Sequence, residues 1–326
     1  MRLLKLIPDN TNLDFMRWRN IALALSIVVT VASILLVAVR GLNLGVDFVG
    51  GQMIRVTFAQ TAPIEEVRNT VGGLNLGNAS IKEFGNDKTL QIRMGLPEGG
   101  EDAANAAASR VRGAISAKHP DAKFQVDTVS GKVSNELYRS GAISIALAML
   151  GIAVFIWFRF EWQFGVGALT TLAHDVAVTL GFFALTQLEF DLNVVAAILT
   201  IVGYSLNDSV VVYDRIRENL RKYRKMEIVP LLNLSLNETL SRTMVTSLSI
   251  MLALLALLLI GPEVIFGLTI AIFLGIFVGT YSSIYISAPI LVWLRVSSDS
   301  FLPRNAATSG PAAGAERVTS RGEGQV

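Results

Sequence analysis

Residues 192–213 read LNVVAAILTIVGYSLNDSVVVY, with Asp208 the one charged side chain in the run. About 20 mostly apolar residues suffice to carry a helix across about 30 Å of hydrocarbon. The stretch is therefore read as the body of a transmembrane helix, placed at residues 191–213. Asn193, Thr200 and Asn207 recur every seven residues and share one face. Tyr204, four residues before Asp208, lies nearly above it on a helix. This polar stripe is expected to face the interior of a helix bundle. Asp208 falls about five residues, or about 8 Å, from the end of the span that the basic residues mark as cytoplasmic. An ionisable group in a span is costly and reads as functional by default. The other reading is a carboxylate near the interface that reaches water.

Outward from this helix lie five more apolar runs, at residues 21–39, 139–158, 164–187, 241–260 and 265–294. They account for a composition that is 52% hydrophobic and only 17% charged, with a mean hydropathy of +0.52. Soluble domains are about 25% charged, so an ordinary soluble protein is excluded, as is a disordered chain. The chain has no cysteine, hence no disulfide, thiolate or cysteine metal chemistry. A net charge of +2 gives no case for a nucleic-acid partner. The first run is long and is followed at once by Arg40, so it reads as a retained anchor rather than a cleaved signal.

Positive charge near span ends sets orientation. Residues 1–20 carry Arg2, Lys5, Arg17 and Arg19, and the connection at 214–240 carries Arg215, Arg217, Arg221, Lys222, Arg224 and Lys225. The stretch 295–326 adds Arg295, Arg304, Arg317 and Arg321, whereas the turns at 188–191 and 261–263 have neither Lys nor Arg. Six spans with both termini cytoplasmic satisfy every short segment. Residues 295–326, rich in Ala, Gly, Ser and Thr, read as a disordered cytoplasmic tail.

Residues 40–138 then form one external, periplasmic domain. A strand is expected at 47–58, a helix at 62–71, strands at 80–84 and 89–94, a helix at 101–118 and a strand at 124–129. The order β-α-β-β-α-β predicts a ferredoxin-like α+β domain. It holds no metal cluster, nucleophile–base arrangement or phosphate loop, and Gly50-Gly51 and Gly72-Gly73 read as turns. No cofactor, metal or enzymatic chemistry is expected of the chain.

Two further polar places lie within the spans. His174-Asp175 sits near the middle of the third span and reads equally as functional or as a buried structural pair bonded to Thr170, Thr171 or a neighbouring helix. Arg242, at the start of the fifth, reads first as a snorkelling anchor. Its expected depth matches that of Asp208, and an Asp–Arg pair broken by protonating the acid is a natural proton switch. Ser241, Thr243, Thr246, Ser247 and Ser249 lie beside it. Gly275 and Gly279 form a G-x-x-x-G spacing that reads as helix packing.

These stretches together resemble the SecF branch of the SecD/SecF family of bacterial protein-export membrane proteins. The resemblance rests on Gly45-Val46-Asp47-Phe48-Val49-Gly50-Gly51, on His174-Asp175, on the run from Gly203 through Asn207-Asp208 to Asn219, and on Asn237-Glu238-Thr239-Leu240-Ser241-Arg242-Thr243. Phe48 and the Asn207-Asp208 pair favour the SecF branch over SecD. The family implies six spans that form half of a twelve-span bundle similar to RND exporters. It implies pairing with SecD, work beside the SecYEG channel with YajC as a further partner, and export of unfolded secretory proteins driven by the proton-motive force. By motif position Asp208 and Arg242 would be the proton-linked residues, with His174, Asp175, Asn207 and Tyr204 as proton-linked or structural companions. Gly45, Asp47, Phe48, Gly50 and Gly51 would mark the passage into the external domain. The alternative is an RND-type exporter subunit for small molecules or lipids.

Overall fold

The computed structural model describes residues 11–296 apart from 77–78, 85, 96 and 98. The expected tail lies almost wholly outside the described residues. A 3-10 turn at Phe15–Trp18 leads into α1 (Arg19–Arg40). Next come α2 (Val46–Val49), β1 (Gly51–Thr57), α3 (Ile64–Gly72), β2 (Ala79–Phe84), β3 (Asn86–Met94), α4 (Gly100–Lys118) and β4 (Lys123–Val129). The remaining helices are α5 (Gly131–Arg159), α6 (Trp162–Thr186), α7 (Leu192–Lys222), α8 (Ile228–Ile260), α9 (Phe266–Ser282) and α10 (Ala288–Trp293), with a π-helical turn at Ser283–Ser287.

Among the described residues, six helical stretches are long and apolar enough to cross a membrane: α1 with its preceding turn, α5 to α8, and α9 continued through α10. They coincide with the six expected spans. Their ends follow from local chemistry. Asp191 caps α7 by accepting from the Val194 amide at 3.0 Å, and Ser130 caps α5 from Val133 at 3.3 Å. Three helices overrun the apolar runs. α5 begins at Gly131, inside the stretch 40–138 expected as external domain. α7 continues past residue 213 to Lys222 and α8 begins at Ile228, so the basic connection at 214–240 is helical except around 223–227.

The four strands form one antiparallel sheet in the order β2-β3-β1-β4, the arrangement expected of the β-α-β-β-α-β order. Side chains alternate across it. Ile54, Val56, Leu90 and Ile92 are fully buried beneath Val67 and Val71 of α3 and Val111 and Ile115 of α4. Arg55, Gln91 and Arg93 project from the opposite face, and Gln91 and Arg93 bond to the ends of the bundle helices.

One expected strand divides in two. Residues 46–49 form the short helix α2, and the strand begins only at Gly51. Gly50 and Gly51, with φ of 76° and 128°, turn the chain between them. A Cβ at Gly51 would lie 2.3 Å from the Met94 carbonyl oxygen. Only glycine tolerates both the backbone and the approach.

Within the bundle, small residues let helices close up. A Cβ at Gly181 of α6 would lie 2.4 Å from Ser33 of α1. One at Gly275 of α9 would lie 2.4 Å from Ile201 of α7, and one at Gly279 would lie 3.4 Å from Ser205. The G-x-x-x-G spacing thus seats α9 against α7, as its packing reading expects.

Candidate functional site

Two carboxylates are buried in the bundle, and their surroundings differ. Asp175 of α6 is 1% exposed. Its Oδ1 meets His174 Nδ1 at 2.9 Å. Its Oδ2 accepts from Ser205 Oγ of α7 at 2.5 Å and from Ser282 Oγ of α9 at 2.9 Å. Gly279 lies against the same oxygen, where a Cβ would be 3.6 Å away. The carboxylate therefore ties three helices together. Of the expected partners, Thr170 and Thr171 instead bond the carbonyls of Val166 and Gly167 one turn back on their own helix, whereas the neighbouring helices do supply donors to Asp175. Helix geometry makes that local bond available to any threonine, whereas the bonds that anchor Asp175 come from across the bundle.

Asp208 of α7 is 3% exposed, yet it accepts one hydrogen bond, from Ser247 Oγ of α8 at 3.4 Å. That length is at the weak end of the range. Ser247 also meets Tyr204 OH at 3.3 Å and accepts from Thr280 Oγ1 of α9 at 2.9 Å. One turn away on α8, the Thr243 hydroxyl is buried without a partner. Asp208 thus sits on a short hydroxyl path formed by Tyr204, Ser247 and Thr280, with spare hydrogen-bonding capacity.

Two sequence expectations are corrected. Arg242 is exposed and forms no ion pair with Asp208 among the described residues. Neither its depth nor its direction fits: the α8 residue that meets Asp208 is Ser247, five residues or about 7.5 Å further along the helix, and α8 directs Thr243 and Ser247 inward while Arg242 is exposed. Asn193, Thr200 and Asn207 do share a face, but it is exposed rather than turned into the bundle. The inner face of α7 is held by Val194, Ala197, Ile198, Ile201, Ser205 and Asp208. A seven-residue spacing shows which side chains share a face, not where that face points.

The exposed face has its own pattern. On α7 it runs Asn193, Ala196, Thr200, Gly203 and Asn207. On α8, which packs beside α7, Arg242, Thr246, Ser249, Ala253 and Ala256 recur at the same spacing and are also exposed. Small and polar residues at spacings of three and four are typical of contacts between membrane helices rather than of lipid-facing surface.

The motif leading into the sheet domain is bonded to the start of α7. Asp47 Oδ2 accepts from the Leu192 amide at 3.1 Å. The Gly45 amide donates to Phe190 O and the Phe190 amide to Asn43 O, both at 2.8 Å. Phe48 is buried between Tyr138 and Phe190, with ring centroids 6.0 Å from each. Gly50 and Gly51 form the turn into β1.

Ser205, Ser282 and Thr280 were not anticipated as site residues. Ser205 carried a faint signal, because it lies three residues before Asp208 in the quoted stretch. The other two are placed only by the packing of α9.

Comparison with known proteins bears on the whole chain. Residues 113–297 match the family model described as protein export membrane protein SecD/SecF, C-terminal, and residues 35–62 match the SecD/SecF GG motif. The chain is 44% identical over 291 residues to the protein translocase subunit SecF of Rickettsia rickettsii, covering 88% of this chain and 94% of the relative. It is 42% identical over 300 residues to that of Cereibacter sphaeroides, covering 90% and 93%. Among solved structures, SecDF from Thermus, titled a translocon-associated membrane protein, matches with a TM-score of 0.79 at 32% identity over 89% of this chain. The chain spans 40% of that longer protein. SecDF in a super-membrane-facing form matches with a TM-score of 0.66 at 33% identity over 88% of this chain.

Proposed function

The chain belongs to the SecD/SecF family of protein-export membrane proteins, and from that premise we propose that it works with a SecD partner to turn the proton-motive force into movement of unfolded proteins across the cytoplasmic membrane. As an accessory subunit of Sec protein export it would act beside the SecYEG channel, with YajC as a further partner. Both termini would be cytoplasmic and the sheet domain external. The observation that carries the reading is Asp208: a buried carboxylate in a membrane helix, weakly bonded and adjoining a line of hydroxyls.

The physical logic is that of a charge that is costly to keep. A carboxylate in a low-dielectric bundle is stabilised by hydrogen bonds to its ionised form or by a nearby cation. Among the described residues Asp208 has one long hydrogen bond and no ion pair. A proton arriving along Tyr204, Ser247 and Thr280 would neutralise it, and the helices would repack around a neutral side chain. The exposed faces of α7 and α8 fit the contact with SecD. Docking there would cover Asn207 and Arg242 and bring the guanidinium against polar groups of the partner half. Arg242 would then exert its charge across the interface, not within the chain.

Magnitudes limit the work. One charge crossing 100 mV yields about 2.3 kcal/mol, and a swing from 1:99 to 99:1 needs about 5.5 kcal/mol. Voltage alone thus requires about two to three protons per full swing. Unfolding a domain of about 5–15 kcal/mol stability is beyond a single proton, whereas biasing the movement of an already unfolded chain is within reach.

The test uses inverted membrane vesicles containing the full translocase. Asp208→Asn is expected to assemble normally and to lose the export stimulation that a proton gradient provides. Stimulation equal to wild type would remove Asp208 from the mechanism.

A further inference from the structure

Protonation within the bundle has to reach the external domain if it is to move a passenger, and the chemistry of Asp208 supplies no connection of its own. The GG-motif segment lies where that connection is needed. We infer that Asp47 is a positioning residue that links α7 to the sheet, so that displacement of the helix bearing Asp208 is carried outward through the carboxylate bonded to its N-terminus. The inference rests on the role proposed for Asp208.

Three features of the structure support it. First, α7 is one unbroken helix from Leu192 to Lys222. Leu192 lies 16 residues before Asp208, or about 24 Å along the axis at 1.5 Å per residue. A helix of this length transmits axial movement with little loss, so a shift near Asp208 appears at Leu192.

Second, the first amides of a helix lack intrahelical acceptors and favour an anion. Asp191 takes the Val194 amide in the ordinary capping role. Asp47, which comes from far along the sequence, takes the Leu192 amide. The sheet domain's lead-in thereby grips α7 itself with a charge-assisted bond.

Third, the grip is stiff on both sides. Residues 43–45 pair with Phe190 through two 2.8 Å backbone bonds. The two chains approach so closely that a Cβ at Gly45 would lie 3.2–3.3 Å from Glu189, Phe190 and Asp191. Beyond Asp47, the chain turns at Gly50-Gly51 straight into β1, which is hydrogen-bonded to both β3 and β4. Movement of Asp47 is thus delivered to a central strand. Arg93 and Gln91 of β3 bond Asn43, Leu44 and Glu189 and add parallel restraints on the same assembly.

The test compares Asp47→Ala with Asp47→Asn in the assembled translocase, measuring export with and without a proton gradient. Asn retains a side-chain oxygen able to accept from Leu192; Ala does not. Asp47→Ala is expected to lose at least fivefold of the gradient-stimulated export while assembly and gradient-independent export stay at wild-type levels. Asp47→Asn is expected to keep more than half of the stimulation. Full stimulation in Asp47→Ala would overturn the inference. So would equal loss of gradient-dependent and gradient-independent export in both variants, which would mark Asp47 as a folding residue. Asp208→Asn, assayed alongside, separates the two readings. If it is inactive while Asp47→Ala is active, only the link falls. If it is active while Asp47→Ala is inactive, the Asp208 assignment falls and the link stands.

Discussion

Asp175 and Asp208 are buried to nearly the same degree, at 1% and 3% exposed, on helices that pack against each other. One is held by His174, Ser205 and Ser282; the other by Ser247 alone, at 3.4 Å. Burial therefore does not identify the working acid. What separates the two is how much of the hydrogen-bonding capacity is already used. Two serine hydroxyls and the His174 ring hold both oxygens of Asp175 and make it part of the architecture. Asp208 retains little that would be lost on taking a proton, so its protonation can change without dismantling the bundle.

The largest expected effect breaks the comparison if it fails. Asp175→Ala should destabilise the chain by about 1–3 kcal/mol for each buried hydrogen-bonding group it leaves unpaired. Asp208→Ala should cost less than about 1.5 kcal/mol, the scale of a single modest hydrogen bond. Thermal unfolding of the purified protein in detergent measures both, and equal losses would erase the distinction.

Next in size are the serines that hold Asp175. Ser205→Ala and Ser282→Ala should each cost about 1–2 kcal/mol, toward the upper end for side-chain hydrogen bonds between membrane helices. In a double-mutant cycle with Asp175→Asn, each should show a coupling energy well above error. Additive costs would mean that the bonds contribute little.

Ser247→Ala should change stability by less than about 0.6 kcal/mol, the average for such bonds. It should still reduce proton-stimulated export, because Ser247 joins Tyr204 and Thr280 to Asp208. The smallest effect is expected at Arg242. Arg242→Gln should leave stability within about 0.5 kcal/mol, as for exposed positions generally. Its effect should appear only in the assembly with SecD, as reduced gradient stimulation of export in vesicles. A large loss of stability in the isolated chain would place the guanidinium in contacts absent from this fold.

The spans were legible because hydrophobic length is a local property. The ferredoxin-like order was legible because alternation and turn residues are local too. Residues 47–49 were misread as strand because Phe48 and Val49 suit either state, and the decisive fact is the positive φ of Gly50 and Gly51. Asp208 stood out as an acid in an apolar run. Its partner did not, because the expected depth along α8 pointed to Arg242, whereas the packed register and rotation of the helix present Ser247, five residues further on. For Asp175 a buried pair bonded to a neighbouring helix was legible, but the residues that bond it were not. Ser205 and Ser282 meet that carboxylate only after α9 seats its glycines on α7, a consequence of tertiary packing that no local pattern records.

The central claim is that Asp208 takes up and releases a proton during the cycle. Infrared difference spectroscopy of the protein reconstituted with SecD, taken across a pH step, observes this directly through the carbonyl band of a protonated carboxylic acid. The account predicts a band that appears on acidification in wild type, persists in Asp175→Asn and is absent in Asp208→Asn. A band that survives in Asp208→Asn and vanishes in Asp175→Asn would contradict it.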